Sequence, residues 1–144
     1  MRTAASLLAC CVVTVASAGE LAGIAGHYRY EEYSVTLPNG RALSLRDLGA
    51  TEAFLDISDV AKTITLRMTM AEGKSVVETA HVLEARFEKG KGYWVAQWPD
   101  MSYAVRAVIS FQGGALTSDT RFDHAGDTQR FGSVEHAVLR KVGI

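Results

Sequence analysis

The sequence predicts an all-β domain, an antiparallel up-and-down barrel of eight or nine strands, on three observations. Apolar residues recur at every second position in run after run, and turn residues interrupt those runs at short, even intervals. No connection is long enough to ask for the Greek-key crossings of a two-sheet sandwich, which is the alternative architecture. Closing such a sheet also removes the bare strand edges through which chains aggregate.

The chain opens on Arg2, an uncharged apolar run from Leu7 to Ala16, and the small residues Ala16-Ser17-Ala18. This is the order of a secretory signal peptide over residues 1–18, with one barrel domain over 19–144. Leu8-Ala9-Cys10 gives a second reading, since it resembles the site at which bacterial lipid anchors are attached, although only Thr3 to Ala9 would then remain as the apolar segment. Both cysteines, Cys10 and Cys11, fall inside the signal, so the processed chain keeps no thiol, disulfide or cysteine metal ligand. Its core must hold it, and a domain of this length buries roughly two-thirds of its unfolded surface. No later stretch reaches the ~20 apolar residues of a membrane-spanning helix. Without Arg2 the formal charge falls from −1 to −2, and the charges are scattered, which argues against nucleic acid as a partner. Asn39 is the only asparagine and no sequon follows it. A periplasmic or secreted bacterial protein is expected.

Strands are expected over 27–36, 41–46, 53–58, 63–70, 76–87, 93–98, 103–112, 115–122 and 133–142, and the one helix candidate is Leu45 to Glu52. In Thr63 to Met70, Ile64, Leu66, Met68 and Met70 face one way and Thr63, Thr65, Arg67 and Thr69 the other. Tyr103 to Phe111 repeats the pattern. In the 76–87 run the apolar stripe is read as Val77, Thr79, His81, Leu83, Ala85 and Phe87. Leu37-Pro38-Asn39-Gly40, Gly90/Gly92 and Gly113-Gly114 supply turn chemistry between runs.

Gly26-His27-Tyr28 near the start and Val138-Leu139-Arg140 near the end resemble the terminal signatures of the lipocalin-like (calycin) barrels. In that family a Gly-x-Trp opens the first strand and an arginine of the last strand packs over the ring. The resemblance implies that Tyr28 takes the tryptophan's place under Arg140, and that the barrel binds a ligand. The family's middle motif is only echoed in Ser118-Asp119-Thr120, and the C-terminal helix of larger members is missing.

Side chains with a chemical use are few. Tyr93, Trp94, Trp98 and Tyr103 concentrate aromatic surface in one hairpin, with Trp94 and Trp98 on one face; they serve either the core or a pocket mouth. A lumen lined by residues such as Leu66, Met68, Val105 and Phe111 is either filled by them or open to an apolar guest. His81 and His136 are placed on inward stripes, where an imidazole is more often a satisfied core group than a ligand contact. Asp123, His124 and Asp127 lie in the most polar segment, at spacings that match no zinc or calcium pattern. No nucleophile elbow, zinc helix or phosphate loop is present, so catalysis has no sequence support, and no cofactor is expected.

The leading functional expectation is therefore an exported barrel binding a small hydrophobic or amphipathic molecule through Tyr30, Met68, His81, Trp98, Tyr103 and Arg121. The alternative is a protein-interaction module, such as a hydrolase inhibitor, acting through the loops at Trp98 to Tyr103 and 123–132. A barrel enzyme using Glu32, His81 or His136 is the third reading.

Overall fold

The computed structural model describes residues 21–143, so the expected signal peptide and both cysteines lie outside the described residues. The strands run in chain order: β1 Gly26–Thr36, β2 Ala42–Leu43, β3 Ala50–Ser58, β4 Thr63–Met70, β5 Ser75–Glu88, β6 Lys91–Gln97, β7 Val105–Gln112, β8 Ala115–Arg121 and β9 Val134–Gly143. From β3 to β9 each strand pairs antiparallel with the next in sequence. β1 joins β3 on one side and β9 on the other, with the β9 register running from His27↔Gly143 to Thr36↔Val134. That pairing closes an antiparallel barrel of eight strands, and β2 is a two-residue appendage on the end of β1. The sandwich alternative is thereby set aside.

The two-residue period explains the core. Tyr28, Leu55, Ile64, Ile109, Leu116 and Leu139 come from six different strands and are all essentially inaccessible. Each such aliphatic side chain contributes about 1.5–3 kcal/mol by leaving water. The closed end of the barrel is built by tight turns at 59–62, 89–90 and 113–114. A single 3-10 turn, Ala22–Ile24, lies across it, with Leu21 and Ile24 buried. Tyr28 fastens this plug, its hydroxyl donating to the Ile24 carbonyl at 2.6 Å; burial pushes that hydroxyl's pKa up to about 12. The opposite end carries the longer connections, 37–49, 98–104 and 122–133.

Four expectations need correction. Leu45 to Glu52 does not form a helix: Ser44 and Asp47 cap one another through Ser44 N–H to Asp47 Oδ2 (2.8 Å) and Asp47 N–H to Ser44 Oγ (3.2 Å), giving a single turn. Gly49 at φ +88° ends it and β3 begins at Ala50. On β5 the inward stripe is Glu78, Ala80 and Val82, then Ala85 and Phe87, because an irregularity between Val82 and Glu84 shifts the register by one residue. His81 consequently faces out, as do Val77 and Leu83. On β9 the inward set is Glu135, Ala137 and Leu139, so His136 points outward and meets Asp119 at 2.6 Å. Arg140 is also outward, bonded to Glu31 at 2.9 Å, and it is Phe111 that meets the Tyr28 ring edge-on, at 6.2 Å between centroids.

Candidate functional site

Toward the long-loop end the barrel interior is not filled. A cavity of about 230 Å³ remains between the strands. Its apolar wall includes Leu55, Leu66, Met68, Trp94, Trp98 and Leu139. Tyr30, Tyr33, Ser118, Thr120, Arg130 and Glu135 give it a polar side, and Glu78 and Asp100 also border it.

The polar side owes its geometry to irregular pairing. β1 and β3 stay in register only from Gly26↔Ile57 to Arg29↔Phe54. Beyond Arg29 the two strands part, and Leu45 and Leu48 of the 44–49 turn supply wall at this end. A second irregularity, between Tyr30 and Glu32 against β9, brings Tyr30 and Tyr33 to the same face although they are three residues apart. Their rings meet edge-to-face at 6.1 Å.

Tyr33 Oη donates to Glu135 Oε2 at 2.7 Å, and it is the carboxyl's one hydrogen-bond donor among the described residues. The Tyr30 hydroxyl has no hydrogen-bond partner among them. Desolvation raises the pKa of Glu135, against the opposing pull of the Tyr33 bond and the Arg130 charge. The hydroxyls of Tyr30 and Tyr33 are pushed well above their ordinary value, first by burial and then by the neighbouring Glu135 carboxylate. An enclosed carboxyl with a free acceptor and a phenol with a free donor therefore share one space, and either can receive a polar group of a guest.

Two loops form the rim. Arg130 donates to Asp100 at 2.6 Å and to Asp127 at 3.0 Å, tying 98–104 to 122–133. Tyr103 donates to Asp127 at 2.5 Å, and its ring stacks on His124 at 4.2 Å. Gln97 Nε2 holds the first loop by donating to the Met101 carbonyl. The hydroxyl of Tyr103, aided by Arg130, brings the Asp127 pKa down to about 2. Since the free value is ~3.9, this contact's stabilisation is present above that pH and is lost as pH falls toward 2. A carboxyl ¹³C titration should place the Asp127 midpoint near 2 and show it moving upward in Tyr103→Phe. A midpoint unchanged by that substitution would remove Tyr103 as the cause.

Of the residues singled out from sequence, Tyr30, Met68 and Trp98 line the cavity together. Tyr103 stands at the rim with its hydroxyl committed to Asp127. His81 and Arg121 lie on the exposed outer face, Arg121 because its neighbour Thr120 takes the inward position. Tyr33, Glu78 and Glu135 were not anticipated. Glu135 alternates with Ala137 and Leu139, which is the signal that places it inward, on the face opposite to the one expected from His136.

No family model matches the chain, and no curated protein matches it. Among solved structures it is similar to a tryptophan-to-alanine mutant of the vaccine antigen transferrin binding protein B from Haemophilus parasuis Hp5. The identity is 15%, the match covers 81% of this chain and 26% of that one, and the TM-score is 0.46. A double mutant of the same antigen matches at 14% identity, 83% and 26% coverage, and a TM-score of 0.43. The chain thus spans about a quarter of the length of those proteins.

Proposed function

We propose that the barrel takes up one small amphipathic molecule, as the lipocalin-like resemblance implies, and that it does so as an exported bacterial protein whose domain begins after Ala18. The apolar part lies against Leu55, Leu66, Met68 and Trp94, and the polar end meets Tyr30, Tyr33 and Glu135. The observation that carries this reading is the unfilled interior itself: about 230 Å³ bordered by a phenol with no partner and a carboxyl with one. A lumen meant only for packing would be closed by larger side chains than Ser118 and Ala107, which border the cavity together with Trp94 and Trp98.

The chain's two tryptophans both border the cavity, so their fluorescence reports on it directly. Titration with octan-1-ol is expected to give a saturable change at one molecule per chain. Ser118→Leu puts three more carbon atoms into the space and should weaken binding about tenfold or more, a loss near 1.4 kcal/mol. Equal affinity in the two proteins would sink the proposal.

The protein-interaction reading keeps one supporting observation. Leu48 and Phe131 are exposed in the long-loop connections, beside loops already tied together by Arg130. Trp98, taken from sequence as its exposed contact, borders the cavity instead.

A further inference from the structure

We infer that the guest is an organic cation, an amine or quaternary ammonium on an apolar body, held by Glu135 and Glu78 among the aromatic rings of the cavity. The inference rests on the proposed uptake of a small molecule and adds its charge.

Among the described residues, four ionisable side chains of ordinary acid or base type border the cavity: Glu78, Asp100, Glu135 and Arg130. The one cation is already spent. Arg130 places one guanidinium nitrogen on Asp100 and another on Asp127, so two carboxylates neutralise it and little of its charge is left for an anionic guest. Glu78 and Glu135 have no oppositely charged side chain within 4.0 Å among the described residues. Two carboxyls facing a largely apolar space with no ion-pair partner in contact, Glu135 feeling only the more distant charge of an Arg130 already bonded to two carboxylates, are a poor arrangement for the empty protein and a good one for a cation that enters it.

Aromatic placement points the same way. Tyr30, Tyr33, Trp94 and Trp98 all border this space, and ring faces attract a positive charge most strongly where water is excluded. Tyr33 holds Glu135 through Oε2 alone, which leaves Oε1 for a guest. The space holds roughly eight waters at ~30 Å³ each, and so a guest of roughly ten non-hydrogen atoms.

Protonation is coupled to this binding. Glu135 has its pKa raised by burial; Tyr30 and Tyr33 of β1 and the Arg130 charge act on it, and Glu78 of β5 and Asp100 of the rim share the cavity with it. A bound cation favours the carboxylate, so binding releases a proton when it begins from the neutral acid. Cation affinity must therefore fall as pH falls through the Glu135 titration, whereas affinity for an uncharged guest must not.

The test compares three probes of matched size by calorimetry at pH 8: hexyltrimethylammonium, octan-1-ol and octanoate. The cation is expected to bind about tenfold or more tightly than either of the others. Glu135→Gln, which keeps an acceptor for Tyr33, should erase that preference. Glu78→Gln should reduce the preference by a smaller factor, and serves if Glu135→Gln does not fold. Lowering the pH through the Glu135 titration should weaken the cation alone. Binding of octan-1-ol or octanoate as tight as that of the cation overturns the charge assignment and leaves the uptake reading standing. Failure of all three probes overturns both, and a cation preference that survives in both variants overturns the role of these carboxyls.

Discussion

Gly92→Ala is expected to lower the melting temperature by roughly 10 °C or more, a loss of about 3 kcal/mol or more. Gly92 is paired on both sides near the start of β6, opposite Phe87 on β5 and Ile109 on β7. A Cβ built there would stand 1.7 Å from the Arg86 carbonyl oxygen and 2.8 Å from the Phe87 Cα. Both obstacles are backbone, so no side-chain rotation relieves them, and the β5–β6 pairing must separate. Gly113→Ala is the natural control. It has nothing within 4 Å and suffers only from its φ of +60°, so its cost should be about 1 kcal/mol. Thermal melts by circular dichroism decide the matter: two variants of equal stability would show that the close approach at Gly92 is not a constraint.

Tyr28→Ala should cost about 3–5 kcal/mol, the usual range for removing a large buried ring. The ring is fully inaccessible and touches Phe111 edge-on, and its hydroxyl is the hydrogen bond that pins the Ala22–Ile24 turn across the closed end. Tyr28→Phe separates the two contributions. It keeps the packing but leaves the Ile24 carbonyl without this donor, for a loss nearer 1 kcal/mol. Denaturant unfolding should rank the proteins wild type, Tyr28→Phe, Tyr28→Ala, with Leu21 and Ile24 becoming exposed in the last. A Tyr28→Ala variant as stable as wild type would mean that the plug is not held from β1.

Strand periodicity was enough to find the barrel. The 63–70 run matches β4, and 27–36 and 115–122 match β1 and β8 to within a residue. Such segments are legible because one face is oily and the other polar, and nothing in them departs from the two-residue repeat. Where the repeat slips, the reading failed. A bulge inserts one residue without leaving a mark in hydrophobicity, so the face assigned from Ala85 and Phe87 was carried back through Val82 and put His81 inside instead of Glu78 and Ala80. The same effect hid Tyr33, which joins Tyr30 only because β1 is irregular before Glu32.

The site was harder to read than the fold for a second reason. Apolar-inward reasoning steers acidic residues to solvent, and the polar side of this cavity depends on Glu78 and Glu135 breaking that rule. Violations of a local rule cost stability unless something offsets them, and a binding site is where that happens. The lipocalin-like terminal residues pointed correctly to a closed barrel, yet Arg140 pairs with Glu31 on the outer face and does not cover Tyr28.

The central claim is that a small molecule enters the barrel, and methyl NMR addresses it most directly. With octan-1-ol added stepwise, the methyl signals of Leu55, Leu66 and Met68 on the cavity wall should shift together and saturate, while those of exposed Val60 and Val142 stay fixed. Shifts confined to outward methyls such as Val77, Leu83 and Val108, with the wall residues unmoved, would contradict it.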